Sequence, residues 1–168
     1  MELWDLYNER REPTGRVHVR GEDIPDGYYH LVVHVWIRNK NGEYLISQRS
    51  ADRPSFPLMW ECVGGSVVAG EDSLTGALRE TREEVGLTLC PQTGKIVSSV
   101  TGRIVCGVKF SDIVDVWLFE HDGPADLENA TTNEVAQVKW MTKAEIKELF
   151  DRGQFVHTLG YFFDIKEF

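Results

Sequence analysis

The stretch that decides the fold is Gly64–Leu87, GGSVVAGEDSLTGALRETREEVGL. At about 3.6 residues per turn, Glu80, Glu83 and Glu84 fall on one stripe of a helix spanning Leu74–Val85, while Leu74, Leu78, Thr81 and Val85 form the opposing, core-facing stripe. Asp72 or Ser73 can cap its start, and Gly86 can end it in the left-handed conformation. Like charges at i, i+3 and i+4 destabilise an isolated helix. Arg79 and Arg82 offset this only in part. A hard divalent cation offsets it directly, because carboxylate oxygens are preferred ligands of Mg2+ and Mn2+. The Gly64–Gly65 pair, read as a loop leading into the helix, can bring backbone carbonyls to the same ion.

Outward from the helix, β-branched and aromatic residues in His30–Asn39 predict a strand. The turn NKNGE follows, and then a second strand, Tyr44–Arg49. Ser50–Pro57 reads as a loop and Met59–Cys62 as a short strand. Ile96–Cys106 and Ile113–Glu120 read as two strands around GVKFSD, and Val135–Met141 as the last. Thr142 with Glu145 at N3 forms a capping box opening the helix KAEIKELFDRG. Residues 1–28 read as a hairpin-like extension, with Leu3–Tyr7 and Arg16–Arg20 as its arms. The tail HTLGYFFDIKEF supports no single assignment. Strands and helices alternate irregularly, which predicts an α+β fold with a mixed sheet.

A length of 168 residues fits one domain with its own core. The net charge of −9 argues against general nucleic-acid binding, since phosphate backbones need a basic footprint. It does not exclude a small phosphorylated substrate, because local charge and a metal ion override the global sign. Cys62, Cys90 and Cys106 are widely spaced and read as reduced, with Cys62 and Cys106 as small buried hydrophobes. The acidic start lacks an apolar signal region, and no apolar run approaches a membrane span. The expected location is the cytoplasm, and a homodimer is compatible with this reading.

Gly64–Leu87 resembles the Nudix box, G-x5-E-x7-R-E-U-x-E-E-x-G-U, where U is bulky and aliphatic. Gly65, Glu71, Arg79, Glu80, Glu83, Glu84, Gly86 and Leu87 stand at its positions, and Thr81 replaces the first U. The resemblance implies a three-layer α/β/α Nudix sandwich and a Mg2+- or Mn2+-dependent hydrolase of the MutT type, acting on a small-molecule diphosphate. By the same resemblance Glu80, Glu83 and Glu84 are metal ligands with the Gly64 carbonyl as a fourth. Arg79 orients the carboxylates, and Glu71 is structural. Two residues compete for the general base, Glu80 and, in TTNEV, Glu134.

His30–Trp60 is similar to one branch of the superfamily, the type 1 isopentenyl diphosphate isomerases, whose loop after the second strand holds a diphosphate with two cations. Arg49 and Arg53 stand at those places, and two guanidiniums can fork phosphate oxygens. The isomerase pattern then fails. Its catalytic cysteine is Gly64 here and its metal-binding histidine is Ser66. His30 and Asp112 retain fragments of its metal site, and Phe110 replaces an acid. His30 and His34 sit about 13 Å apart along a strand, too far to share one ion readily, which favours core or hydrogen-bonding roles. The expected activity is hydrolysis of a diphosphate linkage in a nucleoside diphosphate derivative or related small molecule. The rivals are an isomerase and a non-catalytic ligand-sensing Nudix domain, the latter disfavoured by the intact carboxylates.

Overall fold

The structure is a computed structural model that describes residues 1–168. The chain opens with a hairpin, β1 (Leu3–Tyr7) and β2 (Pro13–Val19), whose second arm starts earlier than the sequence suggests. The central strand β3 (Tyr29–Arg38) follows, then β4 (Tyr44–Arg49), β5 (Trp60–Glu61) and β6 (Val63–Ser66). Helix α1 (Ser73–Val85) carries the acidic stripe. After it come β7 (Lys95–Thr101), a small hairpin of β8 (Ile104–Val105) and β9 (Val108–Lys109), the long strand β10 (Asp112–Glu120), β11 (Val135–Met141) and helix α2 (Lys143–Asp151).

The sheet is mixed because β3 pairs in parallel with β10, from His30–Asp112 to Arg38–Glu120, and antiparallel with β1, β4 and β6. β10 pairs antiparallel with β7, and β4 with β5 and β11. Side chains alternate across β3. Leu31, Val33, Val35 and Ile37 point into a core shared with Ala77 and Val85 of α1. Trp36 points to the other face, into a core with Ile146 of α2 and Phe155 and Phe162 of the tail. Helix, sheet and helix thus form the three layers of an α+β sandwich.

Two expected segments differ. The single strand Ile96–Cys106 breaks after Thr101, where Gly102 turns the chain at a positive φ of 64° into the β8–β9 hairpin. Cys106 lies in that hairpin's turn, exposed rather than buried, while Cys62 is buried. The Gly-Gly segment is not a loop but strand β6, with Gly64 opposite His34. The tail resolves into a 3-10 helix over His157–Phe163, because Phe162 stacks on Trp36 with ring centroids 4.1 Å apart. Trp60, Phe162 and Tyr161 are therefore committed to packing and hydrogen bonding within the second core.

Candidate active site

Both ends of α1 are fixed locally. Asp72 caps the start by accepting from Thr75 N at 2.7 Å, and Gly86 closes the end with φ of 71°. The Glu83 carbonyl at the last turn accepts from Thr131 N at 2.9 Å and Thr132 N at 3.2 Å. Those bonds draw the loop before β11 onto the helix and bring Glu134 beside the acidic stripe. Ser50 N donates to the Glu134 carbonyl at 2.8 Å, which ties in the loop after β4 that carries Arg53.

The result is a cavity of about 200 Å3 with no hydrophobic residue in its wall. Glu80, Glu83, Glu84, Glu134, Arg53, Arg79 and Gly64 all line it, so the structure gathers most of the residues singled out from the sequence. Arg79 is the hub. Its Nε donates to Glu71 at 3.0 Å, its Nη1 to Glu80 at 2.9 Å and Glu83 at 3.1 Å, and its Nη2 to the Ser66 carbonyl at 3.0 Å. Burial works against its charge, but Glu80, Glu71 and Glu83 outweigh burial and raise its pKa. Burial pushes the Glu80 carboxyl up against the pull of Arg79.

Glu84 is buried, contrary to the simple picture of an exposed acidic stripe. It accepts only one long hydrogen bond, from Gly64 N at 3.4 Å. Burial pushes its carboxyl well above the usual carboxylate range, and the charges of Glu80, Glu61 and Glu134 add to the shift. Arg53 pairs with Glu134 at 2.6 Å, and its buried Nε has no partner. Arg49 does not reach the cavity. It is held by Glu61 at 2.6 Å and by the Ser55 carbonyl at 2.8 Å.

Three further residues enter the wall that sequence reasoning missed: Thr132, and Glu2 and Arg20 from the N-terminal hairpin. No local motif marks the hairpin pair, since their place depends on how β1 and β2 dock on the domain. The fragments of an isomerase metal site stay apart from the cavity. His30 stacks on Trp4 at 4.1 Å and contacts the Ser111 carbonyl, and Asp112 is paired with Arg103 at 2.6 Å. His34 contacts the Tyr161 hydroxyl at 2.7 Å. Both histidines thus have the hydrogen-bonding roles their spacing favours.

Five carboxylates face three guanidiniums in the wall, an excess of two negative charges. An all-oxygen donor set with that excess suits a hard divalent cation. In this conformation no three acidic groups converge on one point, because Arg79 occupies the position of a cation between Glu80 and Glu83.

Three comparisons bear on this site. The family model described as the NUDIX domain matches residues 28–159. A Listeria innocua protein named as an uncharacterized Nudix hydrolase is 36% identical over 97% of this chain and 91% of its own. A Shigella flexneri isopentenyl-diphosphate Delta-isomerase is 29% identical over 51% of this chain and 48% of its own, a more distant similarity. Among solved structures, DR0079 of Deinococcus radiodurans superposes with a TM-score of 0.71 and 25% identity, covering 92% of both chains. With the domain matched over most of its length and a relative of this identity along nearly all of it, the chain belongs to the Nudix hydrolase family.

Proposed function

We propose that the protein is a Mg2+- or Mn2+-dependent hydrolase of a diphosphate linkage in a small molecule, a nucleoside diphosphate derivative or a related compound. The observation that carries this reading is the wholly polar cavity with its excess of carboxylates and the under-satisfied Glu84. Glu80, Glu83, Glu84 and the Gly64 carbonyl would hold the cation. Bound there, it would neutralise the diphosphate, polarise phosphorus and lower the pKa of water.

The chain's own residues then have distinct tasks. Arg53, paired with Glu134 in the cavity wall, takes phosphate oxygens, and Arg49 braces the loop that presents it. Arg79 sets the angles of Glu80 and Glu83, with Glu71 fixing Arg79. Water attacks one phosphorus, the bridging P–O bond breaks, and the proton passes to a carboxylate, with Glu80 or Glu134 in that role. The products are two phosphate species.

An isomerase reading is disfavoured by steric fact as well as by residue type. A Cβ at Gly64 would collide with the Val33 carbonyl oxygen, so a cysteine does not fit the β3–β6 pairing. The test is a panel of small diphosphates with phosphate release monitored, with and without Mn2+. We expect cation-dependent hydrolysis that Glu83→Gln lowers about 100-fold or more while the fold persists. Wild-type turnover by that variant at saturating cation would refute the assignment.

A further inference from the structure

The family match begins at residue 28, yet Glu2 and Arg20 stand in the wall of the acid cavity. Glu2 immediately precedes β1 and Arg20 immediately follows β2. The hairpin is docked firmly: Ala69 N donates to the Leu3 carbonyl at 2.8 Å, and Gly70 N donates to Asp5 at 2.7 Å. These bonds reach the segment between β6 and α1, so the hairpin is fastened to the box itself. Arg20 donates to Glu2 at 2.8 Å and leaves half its side chain exposed. Glu2 is also held by the Trp4 indole at 2.8 Å.

We propose that the hairpin is part of the substrate site: Arg20, exchanging Glu2 for phosphate oxygens, binds the outer phosphoryl group of the diphosphate and selects substrates in which that group is terminal. This rests on the hydrolase reading above and narrows its substrate class to diphosphate monoesters. Three observations carry it. The cavity, at about 200 Å3 and without an apolar residue, offers no wall for a second organic group. Two arginines from separate elements, Arg20 and Arg53, sit there on carboxylate partners that a phosphate can replace. Gly64 and Gly65 also line a recess on the second-core side of β6, walled by Val32, Cys62, Val156 and Leu159, where one organic group can lie.

The test uses the full chain in Mg2+ and measures binding of methylenebisphosphonate, a non-hydrolysable diphosphate, by calorimetry. Kinetics on a nucleoside diphosphate and on a dinucleoside diphosphate run beside it. We expect Arg20→Ala to weaken bisphosphonate binding about tenfold and to raise KM for the monoester with little change in kcat, while the wild type hydrolyses the diester far more slowly than the monoester. Arg20→Lys restores part of the loss, and Glu2→Gln, which frees Arg20, tightens binding. The pair is exposed enough to contribute little to folding, and Arg16→Ala on the same hairpin serves as a control. Unchanged binding in Arg20→Ala, or a wild type that hydrolyses the diester as fast as the monoester, overturns the assignment while wild-type hydrolysis leaves the parent reading standing. A wild type that hydrolyses no diphosphate overturns both.

Discussion

Glu84→Gln separates the cost of the acid cavity from its use. Glu84 is 7% exposed, and its carboxylate holds one hydrogen bond of 3.4 Å and feels the charges of Glu80, Glu61 and Glu134. Such an under-satisfied buried group costs about 1–3 kcal/mol. A neutral amide of the same shape removes most of that cost in the metal-free protein. For a chain of this size each kcal/mol moves the melting temperature by about 2–4 °C, so Glu84→Gln should melt roughly 2–10 °C higher in EDTA. The pH dependence follows from the direction of the shift. A carboxyl raised in the folded state costs nothing in strongly acid solution. It destabilises increasingly as pH climbs above its unfolded value, until the folded carboxyl ionises. The advantage of the variant therefore grows with pH. With Mn2+ the gap closes. Cation at about 100 times its Kd stabilises the wild type by about 2.7 kcal/mol, and the variant, lacking one of the proposed ligands, should gain much less. Hydrolysis should fall about 100-fold. Scanning calorimetry in EDTA and in Mn2+ reads all but the last. A variant that melts lower than wild type in EDTA, yet keeps the full Mn2+ shift, would refute this account of Glu84.

Two other predictions test the second core and the isomerase question. Burial pushes His34 down to about 3 from an ordinary 6.5, so the unfolded chain takes up its proton first and stability falls as pH drops below about 6.5 toward 3. The loss at pH 5 is at most about 2 kcal/mol; thermal melts at pH 7 and pH 5 should show a smaller difference in His34→Gln than in wild type. Incubation of wild type with isopentenyl diphosphate and Mg2+ should give no dimethylallyl diphosphate, and Gly64→Cys should melt lower without gaining that activity. Product formation detected by chromatography in either protein would reverse this conclusion.

Much of the fold was legible because it is written in local patterns. Alternation marked β3, the capping box marked α2, and the spacing of Glu80, Glu83 and Glu84 marked α1 with its charged face. The misread segments depend on partners distant in sequence. Gly64–Gly65 looks like a loop by composition, and becomes a strand only because β3 offers it hydrogen bonds. Ile96–Cys106 has strand residues throughout, but β10 supplies pairing only as far as Thr101. At the site, a helical wheel placed Glu84 on the acidic stripe, yet it could not show that β6 packs over that edge and buries it. Arg49 and Arg53 are alike in sequence, and only the fold reveals that Glu61 holds one away from the cavity while the other lines it beside Glu134.

The pair Gly64–Gly65 explains why a chain with isomerase-like strands can carry a hydrolytic site. A methyl group on Gly65 would lie 2.5 Å from the Glu80 carboxylate, and one on Gly64 would meet the Val33 carbonyl oxygen. The first glycine lets β6 lie flush against β3, and the second lets Glu80 swing over the strand to Arg79. A reactive side chain at position 64 would therefore require β6 to move off β3. That movement would also disturb the Gly64 N–H that holds Glu84. Proton-transfer chemistry on a carbon skeleton thus asks for a reactive side chain at position 64, where the β3–β6 pairing leaves room only for glycine. In this chain the packed carboxylates of α1 depend on the close backbone approach at Gly64 and on the space that Gly65 leaves for Glu80.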